Sequence, residues 1–395
     1  MTDVLQSIRN TAKRMNEPLD ESVFPERLSV EAGAIAQVAP YLRDRGDERI
    51  SIVCDLTTFE AAGARLLGDA KAAGLAAEVT IVNPNAQGDV VADEASIMQV
   101  ILDIQRTKAD IAVAAGSGTI HDIVRFAAYT TGIPFVSVPT APSVDGFTSK
   151  GAPILVRGEK ITLPAIGPVA LFADISILRA APAPLIAAGF GDMLGKYTSL
   201  FDWTFGHLAG GEPYSPLAAE LTQQALTACV ENADAIGGST EEGVTILIDA
   251  LIQSGIAMLL FGQSHPASGA EHHLSHYWEM AFVREGRRQL LHGAKVGVAC
   301  TLIAALYHRI GTGGLPAAVG AAERRHAIES HWNEIQAAIS RIPGESRLRE
   351  LIRTAGGPST LEELGVEREL ADRSLQEAHR VRLNRFTLLR VINEG

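Results

Sequence analysis

IAVAAGSGTIHD, Ile111–Asp122, passes from a small apolar run straight into Gly116-Ser117-Gly118-Thr119-Ile120. The run Ile111–Ala115 has the length and character of a strand buried on both faces. Glycines placed directly after such a strand let the backbone come close to a ligand. The N-terminus of the helix expected around His121–Tyr129 would offer free N–H groups and a positive dipole end to a phosphate. The stretch is not GxGxxG, because His121 stands at the third glycine position. An ordinary glycine turn would look the same in isolation, so the setting decides.

The setting is a regular alternation. Upstream, Arg49–Asp55 reads as a buried strand, Thr58–Ala73 as an amphipathic helix with Thr57 or Thr58 as N-cap, Glu78–Val82 as a strand and Asp93–Arg106 as a helix. Downstream, Pro134–Pro139 and Pro168–Ile175 read as strands, with a hairpin expected between them over 152–168. Leu28–Leu42 reads as a strand entering a short helix that ends near Pro40, and residues 1–25 as a short polar helix and an arm. Strands alternating with helices of this length imply a parallel sheet covered on both faces, with a nucleotide site at the carboxyl ends of its strands. The loop PTAPSVDGFTSKG, Pro139–Gly151, would face that same edge.

After Pro184 the texture changes to long Ala/Leu-rich helical patterns, at 184–208, 215–236, 242–262, 267–284, 291–310, 317–341, 345–355 and 366–379. The expected organisation is an α/β domain over 1–180 and an all-α domain over 181–395. Two domains also suit the length of 395 residues. A hydrophobic content of 47% with 20% charged residues describes a folded chain. The net charge of −12 argues against nucleic acid or an anionic membrane as partner. Cys54, Cys229 and Cys300 are far apart in apolar runs and read as buried free thiols. The N-terminus has no apolar core of signal-peptide length and no run of about 18 consecutive apolar residues occurs, so the expected compartment is the cytoplasm.

The second domain carries ASGAEHHLSH, Ala267–His276, and then LLHGAK, Leu290–Lys295. Neutral imidazole is a common ligand for divalent metals. On a helix, His272 and His276 share one face while His273 points elsewhere. Asp192 lies upstream in AGFGDMLGK, an apolar and glycine-rich segment where a lone carboxylate would be costly. Its partner would be a helix N-terminus, Lys196 four residues along, or a metal ion. Spacing alone does not choose between these.

GSGTIHD, VPTAPSVDGFTS, AGFGDMLGKYTS, PASGAEHHLSHYWEM and LLHGAKV occur in this order across roughly residues 111–297. Together they resemble the sn-glycerol-1-phosphate dehydrogenases, in particular their bacterial AraM-like branch. That family stands within the larger group of glycerol dehydrogenases, iron-type alcohol dehydrogenases and dehydroquinate synthases. The resemblance implies a dinucleotide-binding α/β domain followed by a helical metal-binding domain. It implies that Gly116, Ser117, Gly118, Thr119 and Ile120 bind the pyrophosphate of NAD(H) or NADP(H), and that Thr140, Ala141, Pro142, Ser143 and Ser149 contact its nicotinamide half. Asp192, His272 and His292 would hold one divalent ion, zinc or nickel or iron. Asp145, Asp192 and His276 would meet the substrate and serve the chemistry. Asp192 itself disfavours the dehydroquinate synthases, which carry a glutamate there.

The implied reaction is the reversible reduction of dihydroxyacetone phosphate, a small phosphorylated substrate, by NAD(P)H. The alternative is a glycerol or polyol dehydrogenase acting on an unphosphorylated substrate. Lys196 and Lys150 are the candidates for the substrate phosphate, and Asp55 for the adenosine ribose. A homodimer or higher homo-oligomer is expected from the same resemblance.

Overall fold

The structure, a computed structural model, describes residues 3–314 and 322–394, with the side chains of 322–324 left aside. Strands β1 (Arg27–Glu31), β2 (Arg49–Cys54), β3 (Ala76–Ile81), β4 (Ile111–Gly116), β5 (Phe135–Pro139) and β8 (Ala170–Asp174) form one sheet in the order β1-β8-β5-β4-β2-β3. Every pairing in it is parallel. The reason is visible along β4. Ile111, Val113 and Ala115 join a core cluster on one face, while Ala112 and Ala114 join another on the opposite face. A strand apolar on both sides requires cover on both sides.

Helices α1 (Val4–Met15), α2 (Val38–Arg45), α3 (Ala64–Ala72), α4 (Glu94–Thr107) and α5 (Gly118–Thr131) precede β5 in the chain. From β2 the order proceeds outward to β3, and from β4 the other way to β5 and β8. The reversal between β2 and β4 opens a crevice at their carboxyl ends, where Gly116-Ser117-Gly118 lies.

Two local expectations are corrected. The helix after β1 does not end near Pro40. A 3-10 turn, Ala34–Gln37, leads into α2, and Pro40 falls in its first turn, where a missing N–H breaks no bond. The N-cap after β2 is Asp55, not Thr57 or Thr58. Asp55 Oδ1 accepts from the Thr58 N–H at 2.7 Å, and Thr58 Oγ1 accepts from the Asp55 N–H at 3.0 Å, a reciprocal capping box.

Strands β6 (Gly151–Val156) and β7 (Glu159–Pro164) form the expected hairpin, antiparallel and apart from the main sheet. Its two-residue turn has Arg157 at φ 53 and Gly158 at φ 76, the twist that a tight hairpin needs. The hairpin reaches across to the helices: Lys160 pairs with Glu279, and Glu159 with Arg284.

From residue 183 the described chain is helical. Its main elements are α6 (Ala183–Leu194), α7 (Lys196–Gly210), α8 (Pro216–Glu231), α9 (Glu241–Phe261), α10 (Ala270–Arg284) and α11 (His292–Gly313). The expected helix 184–208 is broken at Gly195, where a Cβ would come within 2.5 Å of Val296. The expected helix 317–341 is two helices, Ala322–Ser330 and Trp332–Ser340, and its portion 317–321 lies outside the described residues. Helix α9 is long and apolar enough to cross a membrane by composition, but 67% of its apolar window is buried within the fold. Leu247, Ile248, Leu251, Ile252 and Ile256 are each 0% exposed there, and burying one such side chain contributes about 1.5–3 kcal/mol. Helix α1 packs on this half, with Val4, Ile8 and Ala12 in its core and an Arg14–Glu220 ion pair to α8. All three cysteines are buried and free.

Close helix contact places the acid beside the imidazoles. A Cβ on Gly293 of α11 would lie 1.8 Å from the Ala188 carbonyl oxygen of α6, and one on Gly191 would lie 2.4 Å from that of Gly293. Only hydrogen at these positions lets the two backbones meet. Asp192 on α6 and His292 at the start of α11 are thereby brought together.

Candidate active site

Strand β4 ends at Gly116 and α5 begins at Gly118, so Ser117 is the N-cap. It makes no side-chain capping bond, and the first-turn N–H groups keep their anion-binding capacity. A Cβ on Gly116 would meet Ile120 at 2.6 Å, and one on Gly118 would meet Val144 at 2.9 Å, so the turn is this tight only with glycine at both.

Ser117, Gly118 and Thr119 line a cavity of about 880 Å³ between the sheet edge and the helices. Ser143, Asp145 and Ser149 line it from the loop after β5, and His272, His276 and His292 from the helical side. Gly116, Ile120, Thr140, Ala141 and Pro142 stand behind this surface. Ile120 is 1% exposed in the core, Thr140 donates its N–H to the Gly116 carbonyl at 3.0 Å, and the Pro142 carbonyl abuts Gly189 of α6.

The acids are tied together beneath the cavity. Asp192, 0% exposed, accepts the Asp145 N–H on Oδ2 at 3.0 Å. Lys196 Nζ lies 3.1 Å from Asp192 Oδ1 and 2.8 Å from Asp145 Oδ2, and it also donates to the Ala267 carbonyl at 3.2 Å. Burial pulls the Lys196 ammonium down, but the two carboxylates hold it well above its ordinary value. Lys196 is therefore a structural counter-ion, withdrawn from any substrate phosphate, while Lys150 stands exposed on the cavity rim. Ser254 Oγ donates to Asp145 Oδ2 at 2.9 Å.

Ligand atoms of Asp192, His272 and His292 all lie within 4.8 Å of one another. His272 Nδ1 is 2.7 Å from Glu271 Oε1, which orients the ring and turns Nε2 towards Asp192 Oδ1, 3.7 Å away. Glu271 is held in turn by the Thr198 hydroxyl at 2.6 Å and the Gly269 N–H at 2.6 Å. Burial, with neighbouring lysine and imidazole charges and, for His276, that of Arg382, pushes His276 and His292 well below the usual imidazole range, so both are neutral. Two carboxyl groups, one lysine and the ring nitrogens of His272 and His292 meet in this site. That donor set fits a divalent cation. His276 stands outside the trio, its ring centroid 6.3 Å from His272 and 6.0 Å from His292. His273 is 0% exposed, so the stretch is not a solvated face.

Residues 29–182 match the family model of the iron-containing alcohol dehydrogenases. The chain is 45% identical over 402 residues to the glycerol-1-phosphate dehydrogenase (NAD(P)+) of Geobacillus thermodenitrificans, covering 100% of this chain and 98% of the relative. It is 47% identical over 377 residues to that of Geobacillus stearothermophilus, covering 93% and 92%. The chain belongs to the glycerol-1-phosphate dehydrogenase family. Its fold is that of a probable glycerol dehydrogenase from Sinorhizobium meliloti, with a TM-score of 0.67 over 94% of this chain and 95% of that one at 19% identity.

In this glycerol-1-phosphate dehydrogenase family member the cavity has a basic wall that sequence reasoning missed. Lys160 from β7, Glu279 from α10, Lys295 from α11 and Arg382 from the C-terminal segment all line it. Glu279 and Lys295 carried a usable signal, each standing three residues beyond a cavity histidine on the same helix. Lys160 and Arg382 carried none, because a hairpin and a segment about 100 residues further on deliver them.

Proposed function

We propose that this protein interconverts dihydroxyacetone phosphate and sn-glycerol 1-phosphate with NAD(H) or NADP(H), using one divalent metal ion, zinc or nickel or iron. The observation that carries the reading is the convergence of His272 and His292, on the cavity wall, with Asp192 directly beneath it, in a cavity that also receives the uncapped N-terminus of α5. The relatives' names supply the substrate and coenzyme.

Asp192, His272 and His292 would hold the metal, whose chemistry when bound is Lewis-acid polarisation of a ketone or alcohol oxygen. The turn Gly116–Ile120 holds the coenzyme pyrophosphate on the α5 N-terminus. Ser143 and Ser149, with Thr140, Ala141 and Pro142 behind them, shape the nicotinamide end, which sets the hydride donor against the carbonyl carbon. Asp145 orients a substrate hydroxyl. Its Oδ2 is fixed by Ser254 and Lys196, and its own N–H is fixed by Asp192. The proton for the new hydroxyl comes through a water or hydroxyl relay served by Asp145 or His276. The protein works as a cytoplasmic homo-oligomer in this reading.

The deciding experiment is elemental analysis together with an NAD(P)H-oxidation assay on dihydroxyacetone phosphate, before and after chelation. Activity that falls on chelation and returns with a divalent ion is expected. Full activity in a metal-free preparation, or faster turnover of dihydroxyacetone than of its phosphate, overturns the reading.

A further inference from the structure

Arg382 is a half-buried cation on the cavity wall whose side-chain partners are hydroxyls and an imidazole. Its Nη1 donates to Ser264 Oγ at 3.1 Å and to Ser268 Oγ at 3.2 Å, and its Nη2 donates to Thr162 Oγ1 at 3.3 Å. The same Nη2 lies 3.5 Å from His276 Nε2. Among the described residues no carboxylate comes within ion-pair distance of it. The fully buried Arg125 and Arg385 differ: Arg125 has Asp122 at 2.8 Å, and Arg385 has Glu212 at 3.4 Å. Next to Arg382 on the cavity wall, Lys160 Nζ is 2.8 Å and Lys295 Nζ 2.9 Å from the one carboxylate of Glu279. Among the described residues these three cations thus have one acid, Glu279, within ion-pair distance, two charges more than that carboxylate balances. Hydroxyls hold the half-buried guanidinium in place without neutralising it, so the wall keeps its affinity for an anion.

We infer that Arg382, with Lys160 and Lys295, binds the phosphomonoester dianion of the substrate and sets the preference for a phosphorylated three-carbon ketone. This rests on the function proposed above. A dianion matches the surplus charge, and the planar guanidinium suits phosphate oxygens. Position agrees as well. His276 touches Arg382, and its ring neighbours those of His272 and His292. An anion on Arg382 therefore sits on the same side of the cavity as His272 and His292. The coenzyme pyrophosphate is served separately by the turn after β4. Burial lowers the Arg382 guanidinium to about 10, still charged at neutral pH. The 2′-phosphate of NADPH has the same chemistry as the substrate's phosphate, so the test must separate the two.

Arg382→Gln and Lys160→Met are compared with the intact enzyme by steady-state kinetics on dihydroxyacetone phosphate and dihydroxyacetone. Inorganic phosphate serves as the competing ion. Losing a charged hydrogen-bond partner is expected to lower the kcat/KM ratio of phosphorylated over unphosphorylated substrate roughly ten- to a hundredfold, and to weaken phosphate inhibition by a similar factor. Arg382→Lys is expected to fall between, which separates lost charge from lost fold, and circular dichroism checks the fold directly. An unchanged ratio with unchanged phosphate inhibition overturns the inference. So does a loss seen in NADPH binding and absent with NADH, which would give the wall to the coenzyme. If the intact enzyme fails to turn over dihydroxyacetone phosphate at all, the underlying function fails instead.

Discussion

Replacing Lys196 by Met tests how the buried acids are compensated. The ammonium is 0% exposed and lies 2.8 Å from Asp145 and 3.1 Å from Asp192. Met keeps most of the side-chain volume and removes the charge, leaving two buried carboxylates facing each other. Breaking a buried pair in this way costs about 3–5 kcal/mol. With a shift of about 2–4 °C per kcal/mol for a unit of this size, the melting temperature in chelator should fall by about 6–20 °C. Saturating divalent metal returns positive charge next to Asp192, so the loss should shrink when the ion is added. The assay is thermal denaturation of both proteins with chelator and with metal. Adding Asp145→Asn to the variant should recover about 1–3 kcal/mol, because one of the uncompensated charges is gone. A variant that melts within about 2 °C of the parent in chelator would refute the reasoning, for Lys196 would then not be the counter-ion.

Two further outcomes are expected. Glu271→Gln removes the charged acceptor that orients the His272 ring, and should weaken metal affinity about 10–100-fold in a chelator-competition titration; an affinity within about twofold of the parent would speak against a metal on His272. His121 is buried between the Ser117 carbonyl and Ser137 Oγ, and burial pushes its imidazole down to about 3. As pH falls from about 6.5 towards 3, the unfolded chain gains a proton there that the folded chain refuses, so stability drops by about 1.4 kcal/mol per pH unit. Urea denaturation at pH 7, 6 and 5 should show a shallower acid-side loss in His121→Asn, and an identical slope in both proteins would count against it.

The sequence by itself determined the α/β alternation. Apolar strands such as Ile111–Ala115 can be buried on both faces only in a covered parallel sheet. It also carried the glycine turn, the hairpin and the helical second half, because these are written in local periodicity and turn chemistry. Local pattern failed where a local bond competed. Asp55 took the cap from Thr57 and Thr58 through a three-residue side-chain exchange, and the helix is interrupted at Gly195, a position where Val296 leaves no room for a side chain. The metal trio was visible only through family likeness. Asp192 stands 80 residues from His272, and no spacing rule joins positions on three helices. Tertiary structure decided that meeting, through the glycine contact of α6 with α11 that brings Asp192 to His292. It also decided that Lys196 is a counter-ion and that Lys160 and Arg382 share the cavity. Charge in a folded chain is governed by which groups lose water together, and only the packed fold fixes that.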